Sequence, residues 1–349
     1  AIGFTGGANT LTSSGGALSG NLGIANGVGA SLTFLQTSAA GATGDVTISR
    51  ITGLTGGATD ASVAVKLDGG RSLIITGAST YTGGTSVSDG SRLVLRNSNA
   101  LGSGTLTMGE TLAGLTKLML DGNGINIANR VVINSDPVIT VATGTTNTMS
   151  GPISGAGDIV LNGGGTLVLS GANTYSGGTT LSQGTLVVRG ASVFTNVNIP
   201  SSQTASAIGL GTLTFNGGTL AAGPLLDRSF ANAVEITGRG GTIDDAGGLI
   251  RLFGTISDEA SSRGGTLTLM SSNPRAFAEG ILLGGVSTYS GTTNIASGTV
   301  IAQSSTGLSR NSAFLINAGA TLDLSGYSNS VASLADGSNG GGIVRNAAA

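Results

Sequence analysis

One uncharged ten-residue segment occurs three times in this chain of 349 residues. It reads GASTYTGGTS at Gly77–Ser86, GANTYSGGTT at Gly171–Thr180 and GVSTYSGTTN at Gly285–Asn294. Aliphatic residues on both sides of the first two copies recur at the same offset as the tyrosines. Self-similarity with a period of roughly a hundred residues predicts a repeat architecture, in which stacked units bury a common core.

Short alternating runs fill the sequence between these segments. Glycine accounts for 63 residues and interrupts every window long enough for a helix. Runs in which apolar and polar residues alternate, bounded by Gly, Asn, Asp or Ser, are typical of short strands joined by turns. Examples are Thr166–Ser170, Thr212–Phe215, Thr266–Met270 and Thr321–Ser325.

A second motif locates an insertion in the repeat. ALGSGTLTM at Ala100–Met108 corresponds to AIGLGTLTF at Ala207–Phe215, at a larger offset than the tyrosines, which places extra residues at Val193–Ala205. We therefore predict repeats at about 71–164, 165–279 and 280–349, the last one incomplete, with residues 1–70 as divergent N-terminal rungs.

A parallel β-helix accommodates these features better than the alternatives. Propeller blades carry aromatic signatures, whereas aromatic residues make up only 3% of this chain. Sandwiches do not repeat on this scale. We therefore predict an all-β fold, a single β-solenoid over residues 1–349 with about fourteen rungs spaced ~4.8 Å apart.

In a β-helix the repeated decapeptide is predicted to be a corner between strands. We expect its tyrosine to cover the edge of the core, its asparagine to bond the turn backbone and its glycines to allow the left-handed conformation. The alternative is a row of tyrosines that stacks against carbohydrate. The corner residues are Asn173, Tyr175, Gly177, Gly178, Tyr81, Gly83, Gly84, Tyr289 and Gly291.

Composition excludes several classes of function. Charged residues make up 9% of the chain and the net charge is −2, so no basic surface for nucleic acid is expected. Histidine and cysteine are both absent, which removes Ser-His-Asp and Cys-His catalysis and the commonest zinc sites. We expect no cofactor, no metal site and no catalytic residues.

Acidic residues provide the remaining candidates for chemistry. Asp244 and Asp245 are adjacent, and neighbouring strand residues point to opposite faces, so this pair alone cannot flank one glycosidic bond. Asp258, Glu259 and Arg263 are predicted to form a solvated loop with a weak ion pair. GAGD at Gly155–Asp158 is similar to part of a calcium-binding repeat, but the rest of that repeat is missing.

The segments Leu167–Gly190, Ala100–Met108 and Gly240–Gly248 resemble the passenger-associated transport repeat of bacterial autotransporters. The resemblance covers roughly residues 70–349. It implies a right-handed parallel β-helix that is exported across the outer membrane of a Gram-negative bacterium and then displayed or released. It also implies a C-terminal translocator barrel in the precursor, which this sequence does not include.

Three functions follow from this interpretation. The first is a non-enzymatic surface or secreted passenger, whose hydroxyl-rich outer face contacts glycans or other cell-surface or matrix molecules. The second is a self-assembling extracellular fibre, formed head to tail, since Ile2, Phe4 and Leu11 at one end and Ile343 and Val344 at the other lie at strand-like places without polar caps. The third is a polysaccharide-acting β-helix enzyme.

Overall fold

A computed structural model shows an all-β protein. It describes residues 2–5, 8–12, 21–25, 31–35, 45–53, 64–68, 70, 72–88, 90–109, 115–195, 202–272, 280–337 and 340–346. These residues contain no α-helix and form a parallel β-solenoid of about twelve turns. The predicted fold class is therefore confirmed, and the predicted fourteen rungs are close to this number.

The chain divides into two compact units, Ala1–Leu167 and Val168–Ala349. The division falls inside strand β19, Thr166–Leu169. Whether residues 1–349 form a single β-helix with the predicted repeat boundaries stays a prediction.

The first unit contains short strands of two to five residues. They are β1 Ile2–Thr5, β2 Ala8–Thr12, β3 Asn21–Ala25, β4 Ser31–Leu35, β5 Val46–Ile48, β6 Arg50–Gly53, β7 Ala64–Asp68, β8 Ser72–Ile75, β9 Thr85–Val87, β10 Arg92–Leu95, β11 Leu106–Met108, β12 Lys117–Leu120, β13 Asn126–Ile127, β14 Val131–Ile133, β15 Val138–Val141, β16 Thr146–Met149, β17 Ile153–Gly155 and β18 Ile159–Asn162.

Strands of successive turns pair in parallel and in register in this unit. One sheet has the order β18-β15-β12-β10-β8-β5, and another has the order β17-β14-β11-β9-β7-β4-β2. In-register pairing places similar side chains above one another, and alternation along each strand turns every second side chain inward. The resulting buried column consists of Leu73, Leu93, Leu118, Ile139 and Leu161.

The second unit has the same construction. Its strands after β19 are β20 Thr179–Leu181, β21 Thr185–Val188, β22 Val193–Phe194, β23 Gln203–Ala205, β24 Leu213–Phe215, β25 Thr219–Ala221, β26 Asp227–Phe230, β27 Val234–Ile236, β28 Gly241–Asp244, β29 Leu249–Leu252, β30 Ile256–Asp258, β31 Leu267–Met270, β32 Ile281–Leu283, β33 Thr293–Ser297, β34 Thr299–Ala302, β35 Ala313–Ile316, β36 Thr321–Asp323, β37 Ser333–Asp336 and β38 Ile343–Arg345.

Three parallel sheets form in this unit, and their inward side chains again stack like on like. The sheet orders are β20-β24-β27-β30, β21-β25-β28-β31-β33-β35-β37 and β26-β29-β32-β34-β36-β38. Most side chains of the core are thus aliphatic. The clearest column consists of Leu186, Leu220, Ile243, Leu269, Ile295 and Ile316.

The predicted insertion at Val193–Ala205 contains an antiparallel pair, β22 with β23. The strand pairs of the sheets given above are all parallel, in contrast to this one. The Gln203 amide fixes this segment to the following turn, because it donates to Asn232 Oδ1 at 3.0 Å and accepts from the Ala231 N–H at 2.8 Å. The extra residues therefore leave the parallel stack and do not shift its register.

The apolar residues predicted to lie in strands near the two ends of the sequence do so. Ile2 and Phe4 belong to β1, Leu11 belongs to β2, and Ile343 and Val344 belong to β38. Head-to-tail association through them stays a prediction.

Candidate functional site: the repeated corner and its outer groove

Each decapeptide connects two strands, and its tyrosine points into the core. All three tyrosines are completely buried. Each phenol is hydrogen-bonded to the hydroxyl of the threonine four residues later, which begins the next strand. The O–O distances are 2.5 Å for Tyr81–Thr85, 2.6 Å for Tyr175–Thr179 and 2.6 Å for Tyr289–Thr293.

Burial has two consequences for these tyrosines. It raises the pKa of Tyr289 to about 12 and also raises the pKa of Tyr81, since a phenolate would be poorly solvated there. The ring faces are closed to solvent, so they cannot stack against a sugar. The interpretation as a carbohydrate-stacking row is therefore wrong, and the phenols act as core residues with one polar atom satisfied.

The residue two places before the tyrosine attaches the corner to the next turn. Asn173 forms an antiparallel bridge with Ser206, and its Nδ2 donates to the Ala207 carbonyl at 2.7 Å. In the third copy, Ser287 donates through its backbone N–H to the Thr306 carbonyl and through its Oγ to the Gly307 carbonyl, at 2.9 and 2.8 Å. Asn173 thus bonds the backbone of the following turn of the solenoid, whereas the sequence suggested a bond to the backbone of its own turn.

The glycines of the corner have a different role from the predicted one. Only Gly84 is left-handed, with φ of 90°, whereas the φ angles of Gly83, Gly177, Gly178 and Gly291 lie outside that region. The left-handed conformation predicted at Gly177 and Gly178 is therefore wrong.

Close approach of a neighbouring turn explains two of these glycines. A Cβ on Gly178 would lie 2.6 Å from the Thr212 carbonyl oxygen. A Cβ on Gly291 would lie 1.8 Å from the Gly265 carbonyl oxygen. Both distances are far below a normal contact, so glycine is needed here for space and not for its φ range.

The second repeated motif is the next layer of the same corner. Ser103 donates its backbone N–H to the Tyr81 carbonyl at 3.1 Å, and Leu210 does the same to the Tyr175 carbonyl at 2.9 Å. The two motifs recur together because each forms one side of a contact between successive turns.

A third layer follows, which sequence reasoning missed. The Asn129 amide donates to the carbonyls of Gly102 and Gly104, at 3.1 and 2.7 Å. One repeat later, the Asn232 amide donates at the same two distances to the carbonyls of two glycines. The signal was present, since NRVVI at 129–133 corresponds to NAVEI at 232–236.

The adjacent carboxylates are part of the turn structure. Asp245 is completely buried; it accepts from Gly247 N–H at 3.0 Å, from Ser272 N–H at 2.9 Å and from the Ser271 hydroxyl. Asp244 is half-buried and accepts from Ala246 N–H at 2.8 Å. Asp245 is thus enclosed by its donors and cannot reach a substrate in this conformation.

The loop at Asp258–Arg263 also differs from its predicted form. Asp258 accepts from the backbone N–H and the hydroxyl of Ser290, at 3.0 and 2.7 Å, and so supports the third decapeptide. Glu259 accepts from Ser261, whose hydroxyl and N–H lower the pKa of the carboxylate. Among the ion pairs of the described residues, none joins Arg263 to either carboxylate.

An open groove lies beside the third decapeptide, and sequence reasoning missed it as well. Its volume is about 330 Å³. Its lining comes from three segments of the second unit and combines hydroxyl groups, two aliphatic side chains and one arginine. The lining residues are Val286, Ser287, Thr288, Ser305, Thr306, Leu308, Arg310, Ser328 and Ser330.

The described residues contain neither a metal-binding cluster nor a membrane-spanning helix. No group of three or more histidine, cysteine, aspartate or glutamate side chains in the described part of the chain could hold a metal ion. No helix within that part is long and apolar enough to cross a membrane.

Stacked parallel turns, an aliphatic core and one corner motif that recurs define a repeat-built β-solenoid. The family model of the passenger-associated transport repeat matches residues 68–95, 159–188 and 281–302, which include all three decapeptides. These matches support a passenger domain of an autotransporter, and passengers of that family are surface-exposed or secreted in Gram-negative bacteria.

A curated relative supports the same assignment. The adhesin BmaC autotransporter of Brucella suis biovar 1 (strain 1330) is 36% identical over 140 residues. The alignment covers 38% of this chain and 4% of the relative, so the chain spans only a small part of that protein's length. No solved structure matches the chain.

Proposed function

We propose that this passenger has an adhesive, non-catalytic role, in which its outer face contacts glycans or other molecules on cell surfaces or in the matrix. A relative named as an adhesin supports this role. The observation that carries the proposal is the environment of the three buried tyrosines. Each is flanked by two exposed hydroxyl residues: Thr80 and Thr82, Thr174 and Ser176, Thr288 and Ser290.

This arrangement suits many weak contacts better than one strong contact. The tyrosine fixes the corner, so the flanking residues are exposed on an ordered backbone, and among their hydroxyls that of Ser290 also donates to Asp258. Identical groups repeated along a scaffold gain avidity when several bind at once, although each contact is weak. Neutral hydroxyls also form hydrogen bonds with sugars without the desolvation penalty of a charge.

The enzyme alternative is less favoured by the same geometry. Glycoside hydrolysis needs two carboxyls facing the substrate about 5–10 Å apart. Asp245 is buried among its donors, which leaves Asp244 as the accessible member of the adjacent pair. The fibre alternative stays a prediction.

Adherence of coated beads tests the proposal. Beads carrying the purified chain should adhere to cultured epithelial cells more than albumin-coated beads do. The triple variant Thr80→Ala, Thr174→Ala, Thr288→Ala should lower adherence. The matched control, Thr143→Ala, Thr146→Ala, Thr266→Ala, changes exposed threonines outside the decapeptides and should adhere like the parent chain.

Two results would overturn the proposal. One is adherence no greater than that of albumin-coated beads. The other is release of reducing sugar ends from an acidic polysaccharide that is abolished by Asp244→Asn, which would make the chain an enzyme.

A further inference from the structure

We propose that the groove beside the third decapeptide binds an acidic saccharide, through a carboxylate that pairs with Arg310. This inference rests on the proposed adhesive function and assigns it a site. The groove is lined by exposed Thr288, Ser305, Thr306, Ser328 and Ser330, with Arg310 as its one cation and no carboxylate among its lining residues.

The walls of the groove are held in place by hydrogen bonds between three successive segments. Asn311 Nδ2 donates to the Thr288 carbonyl at 2.9 Å. Asn329 bonds the middle segment twice, since its Nδ2 donates to the Ser304 carbonyl at 3.0 Å and its Oδ1 accepts from Leu308 N–H at 3.2 Å. A ligand therefore meets a formed surface, which reduces the ordering cost of binding.

The lining matches the two faces of a sugar ring. Exposure alternates along this segment, so Gly285 and Ser287 are buried while Val286 is 47% exposed. The Val286 side chain therefore presents an aliphatic surface at the groove. The C–H face of a pyranose can pack there while its hydroxyl groups bond the serine and threonine hydroxyls. A volume of about 330 Å³ is at the low end of ligand pockets, which fits a short saccharide.

Arg310 determines the charge of the ligand. It is exposed and forms no ion pair among the described residues. A guanidinium group offers a planar pair of N–H donors that matches a carboxylate. The corresponding segments of the first two repeats, ALGSGT at 100–105 and AIGLGT at 207–212, contain no arginine, so this cation distinguishes the third corner.

The test measures binding of three oligosaccharides of equal length to the purified chain by interferometry. They are an oligogalacturonate, a neutral oligogalactose and a sulfated oligogalactose. The carboxylated sugar should bind about fivefold more tightly than the neutral one, the upper end of the difference expected for an exposed charge pair.

Two variants assign the binding to the groove. Arg310→Ser removes the guanidinium group and should lower the affinity for oligogalacturonate about fivefold, which corresponds to about 1 kcal/mol. Arg239→Ser removes an exposed arginine outside the groove and should leave it unchanged. Circular dichroism and thermal unfolding should be the same for both variants, because both side chains are exposed.

Equal affinities of the Arg310→Ser variant and the parent chain would overturn the inference. An equal loss in both variants would also overturn it, since the effect would then be general electrostatics. Tighter binding of the sulfated sugar than of oligogalacturonate would overturn the assignment of a carboxylate as the group that pairs with Arg310. If oligogalacturonate does not bind but coated beads still adhere, this site is wrong and the adhesive function stands.

Discussion

The phenol oxygen of Tyr175 lies 2.6 Å from Oγ1 of Thr179, and Thr179 Oγ1 in turn donates to the Ile208 carbonyl at 3.0 Å. Since the threonine proton is used on that carbonyl, the tyrosine is the donor to the threonine. A completely buried hydroxyl pair thus connects the corner of one turn to the backbone of the next.

Removal of this hydroxyl should weaken the fold measurably. Tyr175→Phe keeps the ring but leaves Thr179 without its donor, which should lower the free energy of unfolding by about 1 kcal/mol. Tyr175→Ala also creates a cavity and should cost about 3–5 kcal/mol. Urea unfolding followed by circular dichroism measures both values.

Tyr327→Phe is the control for this experiment, because Tyr327 is 42% exposed. Its unfolding midpoint should equal that of the parent chain. If Tyr175→Phe also leaves the unfolding midpoint unchanged, the buried hydrogen bond does not contribute to stability.

Gly291 provides a test of close backbone approach. In Gly291→Ala the new methyl group would lie 1.8 Å from the Gly265 carbonyl oxygen, so one of the two turns must move. We expect a loss on the order of 1–3 kcal/mol in the free energy of unfolding.

Gly238→Ala is the matched control for Gly291→Ala. Its Cβ would lie 2.8 Å from a serine hydroxyl, the mobile end of a side chain, and its φ is also outside the left-handed region. A smaller effect of Gly291→Ala than of Gly238→Ala would contradict the steric explanation.

The architecture could be predicted from the sequence because its causes are local and repeated. Alternation with a period of two predicts that Leu167 and Leu169 share the inward face of their strand, and both are completely buried, although Val168 between them is buried as well. The offset between the two motifs located the insertion at Val193–Ala205, since an extra segment changes spacing wherever it folds.

The role of individual glycines could not be predicted in the same way. Glycine is selected both where φ is positive and where another backbone comes too close, and a single sequence does not separate the two cases. At Gly178 the deciding atom is the carbonyl oxygen of Thr212, which reaches it only through the stacking of turns.

The groove was missed for a related reason. Val286, Thr306 and Ser328 come from three segments, and each alone looks like an ordinary turn residue. Arg310 is the charged residue that the other repeats lack, and this difference is visible once the third copy is compared with the first two.

The buried carboxylate of Asp245 should contribute to the stability of the fold. Asp245→Asn keeps a neutral carbonyl oxygen for the N–H groups of Gly247 and Ser272 but replaces the acceptor of the Ser271 hydroxyl by an amide donor. Because hydrogen bonds to a charged group are stronger than those to a neutral one, we expect a loss of about 1–3 kcal/mol in the free energy of unfolding. Asp244→Asn retains one carbonyl oxygen for Ala246 N–H and should be nearly neutral. Parallel unfolding curves of the two variants measure this difference, and equal losses would contradict the assignment.

High pH should destabilise the protein through its buried tyrosines. The pKa of Tyr289 is about 12 in the folded chain, against 10.0 for an unperturbed phenol, because burial disfavours the phenolate. Below pH 10 both states keep the proton and the contribution to stability is unaffected. Between pH 10 and about 12 the unfolded state releases the proton while the folded state retains it, so the free energy of unfolding falls as the pH rises.

Tyr289→Phe tests this linkage directly. The variant loses its hydrogen bond and starts from a lower stability, but its free energy of unfolding should decline less steeply between pH 10 and about 12 than that of the parent chain. Urea titrations at intervals across this range give the two slopes. The same slope in both proteins would mean that Tyr289 does not keep its proton in the folded state above the pKa of an exposed phenol.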